Sequence, residues 1–455
     1  MKVCLMNDSF PPVIDGVVNV MMNYANHLMT DHSAKVIVAT PRYPGADYDK
    51  YPYPVVPYQS FDTTKLASGY RAGNPFASKA IAQLAAFRPD IIHTHCPASA
   101  TVLARLLREE TAAPIVLTYH TKYDIDIQRA VKIKSAAKET IRAMVSNIEA
   151  CDEVWVVSKG AGESLKALGY SGDYLVMNNG VDFAKGRVDP ETVEAVTGQY
   201  DLPAGVPVFL FVGRLMTYKG LPLVLDALKL FWEETGRDFR MVFVGKGPDR
   251  EKLEKQAAEN GIAEKCIFVG PIYERDKLRA WNTRADLFLF PSTFDTNGLV
   301  VREAAACGLA SVLVEGSCAA EGITDGRNGF TIEETPRAMA ELLKKVSGGL
   351  EHLHEVGQHA MDEIYLSWKD CVDRANERYA LVLDEKRRGV LRERRRDFTD
   401  LLVTATARSM AEQEKYRRAR QTVLEDLKDT AVGMMENIQE AEESVERLFA
   451  DLGKR

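Results

Sequence analysis

LFLFPSTFDTNGLVVREAAACG, residues 287–308, is the stretch that decides the fold. Four apolar residues predict a buried strand, Pro291 ends it, and a short loop that carries Asp295 leads to Gly298. The glycine opens a helix whose first backbone N–H groups have no partner within the helix. Glu303 lies inside that helix, so its carboxylate is presented at a different depth from that of Asp295. A loop between a buried strand and a helix N-terminus is where α/β proteins collect their ligands.

The same rhythm of an apolar run followed by an amphipathic stretch extends through most of the chain. In the first half the apolar runs are Lys2–Met6, Lys35–Ala39, Ile91–His95, Ile115–Tyr119, Glu153–Val157 and Tyr174–Met177. In the second half they are Pro207–Val212, Arg240–Val244, Lys265–Val269, Leu287–Phe290 and Ser311–Val314. Apolar strands joined by helical crossovers predict parallel sheets covered on both faces, with ligands at the carboxyl ends of the strands. We therefore expect an α/β fold with two Rossmann-like domains that face each other across a cleft.

The polar stretch 181–201 separates the two sets of strands. We expect an N-terminal domain at 1–185 and a second domain at 186–364. Glu351–Leu383 is predicted to be helical, and we expect the part at 365–385 to cross back to the N-terminal domain. A chain of 455 residues with 46% hydrophobic and 27% charged residues is long enough for two such globular units.

Residues 386–455 are predicted to form a helical extension, because they contain no proline, little glycine and many charges. The part at 424–452 spaces apolar residues by alternating steps of three and four, which is the seam of a coiled coil. The seam residues are Leu424, Leu427, Ala431, Met434, Ile438, Ala441, Val445, Leu448 and Leu452. The first half is basic and contains Lys386, Arg387, Arg388, Arg392, Arg394, Arg395, Arg396, Lys415, Arg417, Arg418 and Arg420. We expect a homodimer through 424–452.

Composition argues against several classes of protein. The formal net charge of -7 disfavours a dedicated nucleic-acid binder. The seven cysteines are scattered without the spacing of a zinc site. His93 and His95 alternate on one strand face without a third ligand, so we interpret these two histidines as structural. We therefore expect no metal. The N-terminal MKVCLMNDSF lacks the apolar core of a signal peptide, and no run of about 18 apolar residues occurs. We expect a cytoplasmic protein, which a basic surface could still attach to the inner face of the membrane.

Two loops of the first half follow apolar strands and carry candidate binding residues. In NDSFPPVIDGV, residues 7–17, Gly16 opens a helix and would let backbone N–H groups approach a phosphate, although a plain tight turn also favours glycine. In TYHTKY, residues 118–123, His120 follows a strand and could bind sugar hydroxyls at the cleft edge. The alternative for His120 is a core histidine whose hydrogen bonds are satisfied within the protein.

A third loop, FVGRLMTYKG at 211–220, follows the first strand of the second half and carries Arg214 and Lys219. When a glycosidic bond to a nucleoside diphosphate breaks, the leaving diphosphate gains negative charge. Fixed cations in a water-poor cleft stabilise that charge without a metal. The plain alternative is a solvated surface pair. Beside these cations, one of the carboxylates Asp295 and Glu303 can hold sugar hydroxyls and the other a ribose diol.

Nine stretches of the chain resemble, in the same order, those of the retaining glycosyltransferases of family four, which have the two-domain GT-B fold. The stretches are NDSFPPVIDGVV, IIHTHCPA, TYHTKYD, VVSKG, NNGVD, FVGRLMTYKG, FVGKGPDREKL, FVGPI and PSTFDTNGLVVREAAACG. The resemblance covers residues 1–383, and together the nine stretches are highly specific. It implies that the helical extension lies outside the GT-B body.

The resemblance also implies a role for each candidate residue. Arg214 and Lys219 would bind the diphosphate, and Glu303 would bind the ribose. Asp295 would hold the donor sugar, and His120 would contact the sugar near the reacting carbon. The other expected nucleotide-sugar-binding residues are Gly16, Ile272, Asn297, Gly298, Leu299 and Val300. The family works without a bound metal, so no cofactor is expected beyond the donor substrate.

Two positions depart from the family pattern, because many members have Glu at the position of Asp295 and Phe at that of Asn297. A polar residue before Gly298, together with TYHTKYD, resembles the diacylglycerol glucosyltransferase branch, which makes membrane glycolipids from UDP-glucose. We therefore expect transfer of glucose from UDP-glucose to a lipid such as diacylglycerol. The alternatives are a polysaccharide or soluble sugar acceptor, or a non-catalytic GT-B scaffold that acts through its coiled coil.

A basic cluster in the first domain favours a membrane acceptor. Its members, on a helical stretch that follows the His120 loop, are Arg129, Lys132, Lys134, Lys138 and Arg142. Anionic lipid would attract each of them by about 1 kcal/mol near the surface. The alternative is a solvated helix face.

Overall fold

The computed structural model describes residues 1–13, 15–63, 69–121, 127, 134–391, 400–410 and 412–413. Within them the chain forms two parallel sheets, each covered by helices on both faces. The predicted α/β class with two Rossmann-like domains is confirmed.

The first domain is built on a parallel sheet of seven strands and a small antiparallel pair. The strands are β1 Lys2–Met6, β2 Lys35–Pro41, β3 Val55–Tyr58, β4 Ser60–Asp62, β5 Arg71–Gly73, β6 Ile91–Thr94, β7 Ile115–Tyr119, β8 Glu153–Val156 and β9 Leu175–Val176. The sheet order is β3-β2-β1-β6-β7-β8-β9, and β4 pairs with β5. The order in which successive strands are added to the sheet reverses between β1 and β6. The loops after these two strands therefore diverge and open a crevice there.

Five helices cover this sheet in the described part of the domain. They are α1 Gly16–Thr30, α2 Ser78–Phe87, α3 Ser99–Thr111, α4 Lys134–Glu149 and α5 Lys159–Ala167. The start of α1 is fixed by Asp15, whose carboxylate accepts a hydrogen bond from the Val18 N–H at 2.8 Å. Ser158 caps α5 in the same way, through the Ala161 N–H at 3.0 Å. Helix α5 begins directly after β8, whereas a loop of residues 7–15 leads from β1 to α1.

The second domain repeats the pattern with six parallel strands. They are β10 Val208–Val212, β11 Arg240–Val244, β12 Cys266–Gly270, β13 Leu287–Phe290, β14 Ser311–Val314 and β15 Phe330–Ile332. The order β12-β11-β10-β13-β14-β15 again reverses in the middle, here between β10 and β13. Phe211 stacks on Phe290 across these two strands, with 5.9 Å between the ring centroids. The loops after β10 and β13 therefore start from a rigid, buried base.

Eight α-helices lie between residues 190 and 387, in the second domain and in the segment that follows it. They are α6 Pro190–Thr197, α7 Leu221–Thr235, α8 Arg250–Glu259, α9 Arg275–Arg284, α10 Leu299–Ala306, α11 Pro336–Val346, α12 Leu350–Glu363 and α13 Trp368–Arg387. Helix α13 returns to the first domain, where its Tyr379 stacks on Trp155 with ring centroids 5.4 Å apart. The Arg378 guanidinium forms an ion pair with Glu153 of β8 at 2.5 Å.

Some elements differ from the sequence prediction. The predicted helix 351–383 is two helices, because Ser367 is extended and its hydroxyl caps α13 by accepting from the Asp370 N–H at 3.1 Å. The stretch 181–201 contains the short helix α6, which begins with the proline after the cap Asp189. The pattern also missed β3, β4, β5 and β15, which are strands of only three or four residues.

The extension is described only in part. Residues 400–410 are helical, and Asp400 is buried against α3. The Arg105 guanidinium lies 2.6 Å from its carboxylate, with side-chain exposures of 3% and 9%. Arg392, Arg394, Arg395, Arg396 and the basic residues from Lys415 to Arg420 lie outside the described residues, as does the whole seam 424–452. The coiled coil and the homodimer stay predictions. In the described part of the chain, no helix is long and apolar enough to cross a membrane.

Candidate active site

A cavity of about 360 Å³ lies between the two domains, at the carboxyl ends of their central strands. The first domain contributes Gly16 and His120, which follow β1 and β7. The second contributes Arg214 after β10 and Asp295 after β13. The predicted site residues on the wall are Gly16, His120, Arg214, Lys219, Asp295, Asn297, Gly298, Leu299 and Val300. The fold thus brings together residues that are far apart in the sequence.

Lys219 and Asp295 form a half-buried ion pair in this cavity. The Lys219 ammonium lies 2.5 Å and 2.7 Å from the two oxygens of the Asp295 carboxylate, to which the Ser292 hydroxyl also donates at 2.5 Å. The loop that carries Lys219 comes so close to the β13 loop that a Cβ on Gly220 would lie 2.6 Å from the Pro291 carbonyl oxygen. Glycine at 220, with φ +77°, is therefore required for this approach.

The N-terminus of α10 opens into the same cavity. Gly298 has φ +57° and makes no side-chain cap, so the first N–H groups of the helix remain available to a ligand. A Cβ on Gly298 would lie 3.0 Å from that of Ala319, so the loop also packs tightly. Arg214 is exposed, and its guanidinium donates to the Tyr218 hydroxyl at 2.8 Å. Two cations and a helix N-terminus thus face one cavity, an arrangement that favours a diphosphate.

His120 is buried at the opposite wall. Its Nε2 lies 3.0 Å from Nδ1 of His95, and burial lowers the pKa of His120 to about 3. The side chain is therefore neutral at physiological pH and can donate or accept one hydrogen bond at a substrate hydroxyl. His93 lies deeper and is bonded to Tyr379 and Thr118 at 2.5 Å and 2.7 Å. Among the described residues, no cluster of three or more His, Cys, Asp or Glu could hold a metal ion.

The structure does not bring Ile272 and Glu303 to the wall of this cavity. Glu303 instead accepts a hydrogen bond from the Arg275 guanidinium at 2.5 Å. Burial raises the pKa of Glu303, and the Arg275 charge opposes that rise. Arg275 also contacts Asp182 and lies over the Phe183 ring at 4.4 Å. The Glu303 carboxylate, which was expected to bind ribose, is thus held by Arg275 at the start of the preceding helix, α9.

The cavity wall also contains residues that the sequence did not single out. The Tyr70 hydroxyl donates to Asp15 at 2.9 Å, and both residues line the cavity opposite Arg214. Asp15 could have been found as the helix cap before Gly16. Tyr70 carries no comparable signal, because it reaches the cavity through the β4–β5 hairpin, which the strand pattern missed.

Three hydrogen-bonded contacts join the domains beside the cavity. The Thr296 hydroxyl donates to the His120 carbonyl oxygen at 2.6 Å, and the Ser158 hydroxyl donates to the Thr296 carbonyl oxygen at 2.5 Å. The Glu321 carboxylate accepts from the N–H groups of Lys159 and Gly160 at 2.7 Å and 2.5 Å. A carboxylate at the N-terminus of α5 is favoured by the helix dipole, so this contact stabilises the association of the two domains.

Two family models match successive parts of the chain and together cover more than half of it. The model for Glycosyltransferase Family 4 matches residues 14–185, and that for Glycosyl transferases group 1 matches residues 194–362. The chain belongs to family four of the glycosyltransferases. The predicted family and the predicted enzyme class, a nucleotide-sugar-dependent hexosyltransferase, are confirmed. The cavity of this glycosyltransferase is therefore its candidate donor site.

Curated relatives of the glycosyltransferase include lipid and soluble-acceptor enzymes. Alpha-monoglucosyldiacylglycerol synthase of Acholeplasma laidlawii is 22% identical over 75% of this chain and 87% of the relative. The Streptococcus pneumoniae protein of the same name is 25% identical over 68% and 70%. D-inositol 3-phosphate glycosyltransferase of Nocardia farcinica is 27% identical over 68% and 71%. Relatives at similar identity thus carry the names of different glycosyltransferases.

Solved structures resemble the glycosyltransferase in fold. Anabaena HepE in complex with UDP matches with a TM-score of 0.67 and 17% identity, over 84% of this chain and all 100% of the other. Sucrose-phosphate synthase from Thermosynechococcus elongatus matches with a TM-score of 0.65 and 16% identity, over 84% and 99%. These likenesses establish the GT-B arrangement of the two domains.

The basic cluster of the glycosyltransferase is described in part. Lys134, Lys138 and Arg142 lie on the exposed face of α4, whereas Ala137 and Met144 face the core. Arg142 is paired with Glu139 at 2.8 Å. Arg129 and Lys132 lie outside the described residues.

Proposed function

We propose that this glycosyltransferase transfers glucose from UDP-glucose to a membrane lipid such as diacylglycerol, with retention of the anomeric configuration. The observation that carries the proposal is the shared cavity. Arg214, Lys219 and the N-terminus of α10 lie on one side of it, and His120 lies on the other. The first group suits a diphosphate, and a neutral imidazole suits sugar hydroxyls.

In the proposed reaction, the bond between the anomeric carbon of the sugar and the diphosphate breaks. The acceptor hydroxyl oxygen forms its bond to the same carbon, on the face that the diphosphate leaves. The electron pair of the broken bond stays on the diphosphate, where Arg214 and Lys219 stabilise it. A diphosphate oxygen takes the acceptor proton. Asp295 orients the sugar, and its pairing with Lys219 in the free enzyme keeps both groups in place until the donor enters. No metal is needed for these steps.

A lipid acceptor is supported by the names of two relatives and by α4. Both relatives are called glucosyldiacylglycerol synthases. The exposed Lys134 and Lys138, beside the Arg142–Glu139 pair, leave a surplus of positive charge on α4, on the same domain as His120. An anionic membrane would attract this charge and bring its lipids to the acceptor side of the cleft. We therefore place the enzyme at the inner face of the cell membrane.

A donor and acceptor assay tests the proposal. UDP-glucose and GDP-mannose are each offered with diacylglycerol in phosphatidylglycerol vesicles, with inositol phosphate, or with soluble glucosides, and products are identified by mass spectrometry and NMR. An α-glucosyl lipid from UDP-glucose is expected. A product that forms only from GDP-mannose, or only on a soluble acceptor, would refute the proposal.

A charge reversal tests the membrane face. Lys134→Glu with Lys138→Glu should reduce sedimentation with anionic vesicles and lower lipid glucosylation, while slow donor hydrolysis persists. Lys252→Glu with Lys255→Glu on the exposed face of α8 is the matched control, because it makes the same charge change in the other domain. Equal loss in both variants would show that net charge matters and that α4 does not dock.

A further inference from the structure

A second pocket lies on the first domain, at the carboxyl ends of β2 and β3. Its volume is about 750 Å³, and three cations, Arg42, Arg71 and Lys79, contribute to its wall. None of the described residues that line it is Asp or Glu. We call it the cationic pocket. A concave surface with charges of one sign concentrates the opposite charge, so its chemistry favours an anion.

Two of the three cations are available to a ligand. Arg42 is exposed, and its guanidinium makes a long hydrogen bond of 3.5 Å to the Pro57 carbonyl oxygen. Lys79 is exposed on the first turn of α2. Arg71 is half-buried, donates to the Ser60 hydroxyl at 2.8 Å, and faces Asp62 in the β4–β5 ladder. Arg71 therefore shapes the pocket, and the other two provide its accessible charge.

The tyrosine hydroxyls at this pocket are already engaged within the protein. Those of Tyr43 and Tyr58 donate to the carbonyl and carboxylate oxygens of Asp8, at 2.9 Å and 3.2 Å. The Tyr48 hydroxyl accepts from the Tyr43 N–H at 2.7 Å. The rings therefore form rigid walls, and recognition of a ligand falls to the cations.

The cationic pocket borders the active-site cavity. Tyr70 lines the cavity and the next residue, Arg71, lines the pocket, so the two spaces are separated at the start of β5. Arg214 is close enough to Tyr70 to affect the pKa of that hydroxyl. A ligand in the pocket would therefore lie beside the acceptor side of the cleft.

We propose that the cationic pocket binds a phosphate group next to the acceptor site. A guanidinium and an ammonium that converge on one cavity match the charge and the hydrogen-bond acceptors of a phosphate. The inference goes beyond the proposed function, because diacylglycerol carries no phosphate, and it does not depend on the identity of the donor. The phosphate could belong to a membrane lipid beside the acceptor or to a soluble phosphorylated acceptor.

Binding of inorganic phosphate to the full-length protein in the presence of saturating UDP, which occupies the donor site, is measured by calorimetry and tests the pocket itself. Arg42→Gln with Lys79→Gln should weaken that binding at least tenfold. Lys35→Gln with Lys50→Gln should retain it, and this variant controls for lost charge elsewhere on the domain. Absence of phosphate binding in the wild type, or equal binding in the pocket variant, would overturn the proposal. Equal unfolding temperatures of the variants exclude a folding defect.

Two further arms of the experiment distinguish a soluble phosphorylated acceptor from a lipid headgroup as the source of the phosphate. In one arm, sn-glycerol 3-phosphate is offered as ligand and acceptor. In the other, vesicles of phosphatidylglycerol are compared with vesicles of phosphatidylcholine that contain the same diacylglycerol. Loss of glycerol phosphate binding in the pocket variant assigns a soluble acceptor, and loss of stimulation by phosphatidylglycerol assigns a lipid headgroup. If the pocket variant behaves as the wild type in both arms, the pocket has no role in phosphate recognition.

Discussion

The Thr296 hydroxyl donates a hydrogen bond of 2.6 Å to the backbone carbonyl oxygen of His120, across the cleft between the two domains. The Thr296 carbonyl oxygen accepts in turn from the Ser158 hydroxyl at 2.5 Å. Because Thr296 directly follows Asp295, these bonds connect the loop that is expected to hold the donor sugar with the loop that carries His120. Thr296 is therefore a positioning residue for both sides of the cavity.

Thr296→Val keeps the shape of the side chain and removes the hydrogen bond to His120. The loss of one buried hydrogen bond between the domains should lower kcat about tenfold. The KM for the donor should change little, because the backbone of α10 is retained. Thr296→Ser, which restores the hydroxyl, should recover most of kcat. Steady-state kinetics that are the same for the valine variant and the wild type would contradict this role.

Much of the fold follows from local sequence, but several contacts of the site do not. The apolar runs before Arg214 and Asp295 identify the strands, and strand order then brings their loops together. The Arg275 partner of Glu303 lies on another helix, and nothing in the local pattern indicates that pairing. Tyr70 reaches the cavity from a hairpin of three-residue strands, which are too short to produce a periodic signal.

The extension shows the same limit. The helix at 400–410 follows from composition, whereas the contact of Asp400 with Arg105 joins residues 295 positions apart. Asp400 is one of several acidic residues in a basic segment, and its local sequence carries no signal of burial. Tertiary structure alone decides which of the many carboxylates in such a segment is taken out of water.

Arg214 and Lys219 are expected to stabilise the leaving diphosphate. Arg214→Ala or Lys219→Ala should lower turnover at least about a hundredfold, because each removes a charge that acts mainly in the transition state. Arg214 is exposed and its variant should fold normally, which an unchanged unfolding temperature would verify. A folded Arg214→Ala enzyme with near-normal donor turnover would exclude this role.

Asp295 and Glu303 are expected to bind different parts of the donor, and Glu303 must exchange its Arg275 partner for the ribose when the donor enters. Glu303→Gln should weaken binding of UDP about tenfold, since it removes a charged hydrogen-bond acceptor. Asp295→Asn should weaken UDP-glucose but not UDP, because it releases Lys219 from its ion pair and leaves that cation free for the diphosphate. Calorimetry with both ligands measures the difference. The division of roles fails if Asp295→Asn weakens UDP as much as UDP-glucose.

Three buried histidines predict loss of stability in acid. Burial lowers the pKa of His120 to about 3 and those of His93 and His95 well below 6.5. Below pH 6.5 the unfolded chain therefore binds protons that the folded protein does not. The free energy of unfolding should fall as pH drops from 6.5 towards 3, by up to about 1.4 kcal/mol per pH unit for each histidine.

Urea unfolding between pH 8 and pH 5 measures this dependence. His120→Gln should remove about one third of the histidine contribution to the slope of unfolding free energy against pH. The unfolding free energy of each protein above pH 7 serves as its own reference. An unchanged slope in His120→Gln would mean that His120 is protonated in the folded protein.

The last prediction concerns the heptad segment 424–452. A helix buries such a seam only by pairing, and nine apolar positions are enough for a dimer. Truncation after residue 413 is the suitable test, because it retains Asp400 and therefore the buried ion pair with Arg105. The truncated chain should be a monomer with intact donor turnover and weaker binding to anionic vesicles, since a dimer presents its basic surfaces twice.

Leu427→Glu with Ile438→Glu in the full chain should give the same monomer, whereas Lys428→Glu with Gln439→Glu, off the seam, should not. Light scattering decides the matter, and a full-length monomer or a truncated dimer would refute the coiled coil.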